Sequence, residues 1–186
     1  MAVTLLLARH GQTHENVARI LQGQMPGHLN EEGISQAHEM GRMLQSTPID
    51  VVLTSDLKRA VDTAHIVNEY LHLPLIKEPL LRERNFGIHT GAPYLSISGD
   101  LDPSAETVEA MFARAQQWLR HVALTYDGKT VLAVSHGLFL RVIQGAFLGK
   151  TIRDIPRMDN AEVRTLIIDS TDHLNTETEE VGAKDA

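Results

Sequence analysis

The chain contains no cysteine. That single absence removes disulfides, zinc–thiolate sites, iron–sulfur clusters and cysteine nucleophiles, and leaves any catalysis to histidine, carboxylate, hydroxyl or lysine groups. Long apolar runs are missing too. The stretch from Val3 to Ala8 is too short for a secretory segment and has no basic run before it, and nothing approaches the roughly 20 apolar residues of a membrane span. A soluble, cytoplasmic protein that does not engage a membrane is expected. Positive charge is scarce, with 17 Lys and Arg against 24 Asp and Glu and a formal charge of -7. This argues against nucleic acid as a partner held by bulk charge, but it does not exclude a local basic pocket. The acidity is also uneven: beyond Asp169, Asp172, Glu177, Glu179, Glu180 and Asp185 oppose only Lys184, so residues 170–186 carry -4 and the rest -3. No G-x-x-x-x-G-K-[ST] or G-x-G-x-x-G loop is present for a nucleotide. His10 and His14 have i, i+4 spacing but enclose Gly-Gln-Thr rather than the Glu-x-x of a zincin helix, and no second ligand cluster follows. Neither a metal nor another cofactor is expected.

What is present is a chain of 186 residues, 42% hydrophobic, long enough to bury a full core as one unit. Val3 to Ala8 is uniformly apolar and runs into Arg9-His10-Gly11, which predicts a strand buried on both faces and ending in a polar loop. Asn30 offers an N-cap to a helix with Ile34, Ala37, Met40, Gly41 and Leu44 on one face, bounded by Pro48. Asp50 to Thr54 is a second strand. Ser55 or Asp56 is expected to cap the next helix, with Leu57, Ala60, Ala64, Val67 and Leu71 inward and a stop before Pro74. Leu75-Ile76 makes a brief strand, and the stretch from Gly87 to Asp102 reads as loop. Asp102-Pro103 is expected to open a long helix carrying Val108, Met111, Phe112, Ala115, Trp118, Leu119 and Val122. Thr130 to Ser135 repeats the opening device, running into His136-Gly137 and an apolar helix through Phe147, and Val163 to Asp169 is a last strand. Alternating strands and helices predict a three-layer α/β/α fold with a mainly parallel sheet, whose ligands bind at the carboxyl ends of the strands. Residues 1–169 are expected to form a single domain, and 170–186 an acidic tail that frays.

Two apolar strands ending in His-Gly put His10 and His136 on one edge of such a sheet, with Gly11 and Gly137 permitting close backbone approach. Five blocks then carry a family resemblance: Arg9-His10-Gly11-Gln12-Thr13 with Asn16; Gln22-Gly23 with Leu29 to Ala37; Thr54 to Ala60 with Thr63-Ala64; Leu81 to Gly87; and Val134 to Gly137. Their order and spacing resemble the histidine phosphatase superfamily, the phosphoglycerate mutase-like proteins, over nearly the whole chain. The resemblance implies that His10 takes up a phosphoryl group, that Arg9, Arg59 and His136 hold its oxygens, that Asn16 adds a neutral donor, and that Glu83 is the proton donor. Within the same blocks Thr13, Gln22, Gly23 and Gly137 are expected around the substrate, and Arg84 and His89 are candidates for contact with it.

These roles suit the chemistry. Imidazole is neutral and nucleophilic near pH 7, and phosphoryl transfer mainly needs in-line positioning and positive charge on three equatorial oxygens. Arg59 in the first turn of its helix would aim back toward His10 and offer a fork that Lys58 lacks. Glu83 must hold a proton as general acid, so Arg82 and Arg84 are expected to point away from it, at least one of them. The implied activity is hydrolysis of phosphate monoesters, small metabolites or a phosphoprotein, through a phosphohistidine and without metal. The short segment of about residues 84–107 favours it, since in this family mutases carry longer insertions there. Phosphoglycerate mutase is the alternative, and an idle module that binds a phosphorylated ligand is another. The chain departs from the family where Ile88-His89-Thr90 and Glu15 stand.

Overall fold

The protein is described by a computed structural model, which covers residues 1–169; the expected tail lies outside the described residues. Five strands, β1 (Ala2–Arg9), β2 (Val51–Thr54), β3 (Leu75–Lys77), β4 (Thr130–Ser135) and β5 (Val163–Asp169), form one sheet in the order β3-β2-β4-β1-β5. All neighbours are parallel except β5, which runs antiparallel to β1. The register aligns Arg9 with Ser135 and Thr54 with Val134, so β1, β2 and β4 end together. His10, Ser55 and His136 therefore emerge side by side.

Strand side chains alternate between faces. Val3, Leu5 and Leu7 enter a core with Trp118, Met111, Phe139 and Ile143, from helices α4 (Val108–Thr125) and α5 (Gly137–Leu148). Leu6 and Ala8 enter a second core with Met40, Leu44, Ala60, Ala64 and Val67, from α2 (Glu31–Leu44) and α3 (Lys58–Leu71). The α/β/α layering is as expected, with a short α1 (His14–Val17) between β1 and α2.

Two helix starts differ from the sequence pattern. The α4 helix begins at Val108 with Thr107 as cap, its hydroxyl accepting from the Ala110 amide. Asp102 instead closes a turn on the Ser104 amide, and the Glu106 amide donates to Asn85, so residues 102–106 belong to the preceding loop. The α3 helix has Leu57 at its cap position and no side-chain cap on its first turn. Asp56 is engaged elsewhere, gripped by both ends of the Arg82 guanidinium at 2.7 and 2.6 Å, and Ser55 Oγ accepts from the Leu57 amide at 3.3 Å.

Arg114 on α4 joins the loop to both helices. It forks onto Glu106 at 2.9 Å through two nitrogens, donates to the carbonyls of Leu80 and Arg82, and lies 3.8 Å over the Phe139 ring. Arg114→Ala leaves a largely buried Glu106 carboxylate without its cation, which should cost about 3–5 kcal/mol of unfolding free energy in urea titration. Arg114→Lys should recover only a minor part, because an ammonium cannot reproduce the fork. A loss below about 1 kcal/mol, the level of a surface pair, would show that the stitch is dispensable.

Candidate active site

His10 is almost wholly buried just past β1. Its Nδ1 lies 2.7 Å from the Gly11 carbonyl, an acceptor only, so Nδ1 carries the proton and Nε2 the lone pair. Burial, reinforced by Arg59 and Arg9, pushes the His10 pKa well below its ordinary 6.5. The ring is thus neutral, with its lone pair on Nε2.

Arg59, 1% exposed, donates from Nε to His10 Nε2 at 3.3 Å. Its terminal nitrogens donate to the carbonyls of Met25 and Gly23 at 2.6 and 2.7 Å. The fork expected of Arg59 is therefore anchored on the 23–25 loop, and its Nε edge is the one that faces His10. Burial pushes its pKa down to about 10, which leaves it cationic at neutral pH. Arg9 is held by the Met158 carbonyl at 2.6 Å through Nη1. Gly137 makes room for it, since a side chain there would start 3.0 Å from Arg9 Nε. The Gly11 hydrogen, by contrast, meets the Gly33 carbonyl, so that glycine serves the packing of β1's exit on α2 and not the approach of a ligand.

The His136 ring sits 5.2 Å from that of His10, tilted by 61°. Glu83 is tied to the start of α5, directly after His136: its carboxylate accepts from the amides of Arg84, Leu138 and Phe139 at 2.9, 3.1 and 3.0 Å. Two of those amides are orphan donors of α5's first turn, whose own cap position, His136, offers no side-chain bond. Arg82 and Arg84 both point away from that carboxylate, Arg82 to Asp56 and Arg84 Nε to the Glu106 carbonyl.

Among the described residues, four buried side-chain polar atoms have no hydrogen-bond partner: Arg9 Nε, Gln22 Oε1, His136 Nδ1 and Trp118 Nε1. Three belong to residues around His10. Polar atoms so buried are costly unless something pairs with them.

The model of the histidine phosphatase superfamily, branch 1, matches residues 5–176. The chain belongs to this superfamily. An uncharacterized phosphatase, PhoE, of Bacillus subtilis is 36% identical over 141 residues, covering 74% of this chain and 73% of its own. A protein named "Probable phosphoglycerate mutase GpmB" from Erwinia tasmaniensis is 31% identical over 158 residues, covering 77% and 74%. The solved structure of mycobacterial glucosyl-3-phosphoglycerate phosphatase superposes with a TM-score of 0.77 at 26% identity, covering 90% of this chain and 91% of that one.

Around the centre of this superfamily member, several expected ligand contacts act as scaffolding. Thr13 is fully buried and caps α1, accepting from the Asn16 amide and from Gln22 Nε2. Asn16 Oδ1 accepts from the Thr13 amide and from Asn160 Nδ2, an arrangement that turns its own Nδ2 outward as a donor. Gly23 takes φ +50, and its carbonyl is occupied by Arg59. Arg84 is half-buried with its guanidinium 5.7 Å over Phe86. His89 is not brought to the centre; its Nε2 accepts from the Asp102 amide and closes the loop. Sequence reading missed Asn160, which donates to the His10 carbonyl as well as to Asn16. Ala161 beside it holds φ +61 and gives its amide to the carbonyls of Arg9 and His10. Nothing in the string Asp159-Asn160-Ala161 signals this, because Asn160's partners lie 150 and 144 residues away.

Proposed function

We propose that the protein hydrolyses phosphate monoesters of small metabolites through a phosphohistidine on His10, without a metal ion. The observation that carries the reading is the deprotonated Nε2 of His10, held only by a long 3.3 Å bond from Arg59 Nε, beside buried nitrogens of Arg9 and His136 that have no protein partner. A phosphate dianion supplies oxygens to those nitrogens and an electrophilic phosphorus to the Nε2 lone pair.

In the first step His10 Nε2 attacks phosphorus in line, the ester P–O bond breaks, and the leaving oxygen takes a proton from Glu83. In the second, Glu83 removes a proton from water, the oxygen attacks phosphorus, and the P–N bond breaks to return the lone pair to Nε2. Arg59, Arg9, His136 and the Asn16 amide hold the equatorial oxygens throughout. Arg84, at the mouth beside Glu83, contacts the leaving group.

Water as acceptor is favoured by the short segment between Glu83 and α4. It forms only short 3-10 turns, Gly87–His89 and Tyr94–Ser96, and is pinned to residues 19–21 by bonds such as Leu21 amide to Ala92 carbonyl. Likeness to a protein named as a mutase favours the second reading, transfer back to glycerate. Incubation with 3-phosphoglycerate separates the two: free glycerate and inorganic phosphate are expected, and a dominant phosphate isomer would overturn the choice.

The lowered pKa values of His10 and His136 fix a pH signature. Both are depressed by burial first, then by nearby cations, so the neutral forms persist below pH 6.5. After correction for the substrate's own ionisation near pH 6, kcat/KM should show no inflection at 6.5. Because the unfolded state binds protons first, folding free energy should fall as pH drops below 6.5 and be intact above it. An activity step at 6.5 would place His10 in the ordinary range and contradict its burial.

A further inference from the structure

Ser55 and His136 meet where β2 and β4 leave the sheet. Both residues are 0% exposed, and Ser55 Oγ lies 2.7 Å from His136 Nε2. The sheet creates this proximity, since the Ser55 amide donates to the Val134 carbonyl at 2.9 Å, holding the exit of β2 against that of β4.

The proton positions follow from the partners. Ser55 Oγ already accepts from the Leu57 amide at 3.3 Å. If His136 Nε2 also donated to it, the serine hydrogen would sit in a fully buried place with no acceptor at hand, and His136 Nδ1 would be a bare lone pair facing an anion site. If the serine hydroxyl donates to Nε2, both the serine hydrogen and the Nε2 lone pair are paired inside the protein, and the remaining proton must lie on Nδ1, where a bound anion can accept it. Nδ1 is the buried atom with no partner in the protein. We infer that Ser55 is a positioning residue that holds His136 as the Nδ1–H tautomer, so that a neutral imidazole offers a hydrogen bond to the transferring phosphoryl group.

The arrangement mirrors His10, where the backbone carbonyl of Gly11 draws the proton to Nδ1 and leaves Nε2 deprotonated, accepting only from Arg59 Nε. Two neighbouring imidazoles are thus assigned opposite tasks toward phosphorus, one presenting a lone pair and the other a proton, by the different partners on their far sides. A carbonyl can only accept, and a hydroxyl already accepting an amide is left to donate.

The inference rests on the proposed phosphatase reading for its kinetic consequence but not for its structural one, so two measurements separate them. In the ligand-free protein, nitrogen-15 NMR of the histidine side chains should show His136 protonated on Nδ1 in the wild type and redistributed toward Nε2–H in Ser55→Ala. With inorganic phosphate as probe, Ser55→Ala should bind about ten- to hundredfold more weakly and lose kcat by a similar factor. Ser55→Thr, which keeps the hydroxyl, should restore both. Wild-type His136 found as the Nε2–H tautomer overturns the inference, as does a Ser55→Ala variant that loses thermal stability while keeping phosphate affinity and kcat. Absence of any phosphatase turnover in the wild type would overturn the functional reading and leave the tautomer result standing on its own.

Discussion

His10→Ala is expected to lower kcat/KM for phosphate monoesters by about 10⁵-fold or more, because the group forming the covalent bond is removed and the remaining pocket can only bind. The fold should survive, since the ring's bonds go to its own neighbour Gly11 and to Arg59, which keeps its anchors on Gly23 and Met25. Binding of inorganic phosphate should persist, with Arg9, Arg59 and His136 still in place. Activity within tenfold of the wild type would mean that water is attacking phosphorus directly and that His10 is not the nucleophile.

Glu83→Gln carries the second large expectation, and its diagnostic part is the dependence on leaving group. Loss of a general acid costs about 10²–10⁴-fold when the departing alkoxide needs a proton, and much less for a nitrophenolate, which leaves without one. The substitution also disturbs the structure. The Glu83 carboxylate takes three amide hydrogen bonds, and a carboxamide would set an N–H against the amide of Leu138 or of Phe139, costing about 1–3 kcal/mol of stability. A purely structural effect would depress alkyl and aryl phosphates alike. Equal losses for the two substrates, measured as kcat/KM, would remove Glu83 from the role of proton donor.

The parts of this fold legible in the sequence were those written in local pattern. Val3 to Ala8 and Thr130 to Ser135 are apolar without alternation, the mark of strands buried on both faces, and each stops at a histidine followed by glycine. That was enough to put His10 and His136 on one edge of a parallel sheet. Asn30, three residues ahead of the Gly33 amide it caps, likewise announced α2.

What was not legible depends on contacts between distant residues. Asp56 looks like a helix cap until Arg82, 26 residues away, takes both its oxygens. Asp102-Pro103 looks like a helix start until the 102–106 stretch is drawn into bonds with His89 and Asn85. The α1 helix is a single turn, too short for periodicity to reveal, and it converts Thr13 from an expected ligand contact into a cap. Arg59 shows the same limit from the other side: the position on the helix was readable, but not that loop carbonyls would hold its fork and leave the Nε edge toward His10. Asn160 reaches the site from across the chain with no motif of its own.

Turnover is expected to pass through a covalent phosphohistidine on His10. The most direct measurement uses the Glu83→Gln variant with an aryl phosphate, which can phosphorylate the enzyme without an acid but cannot readily be hydrolysed without a base, quenched in alkali and mapped by peptide mass spectrometry. One phosphoryl group is expected on the peptide containing His10, lost on acid treatment and absent when His10→Ala is added. Turnover of the aryl ester with no phosphoryl group on His10, or with the group on another residue, would contradict it.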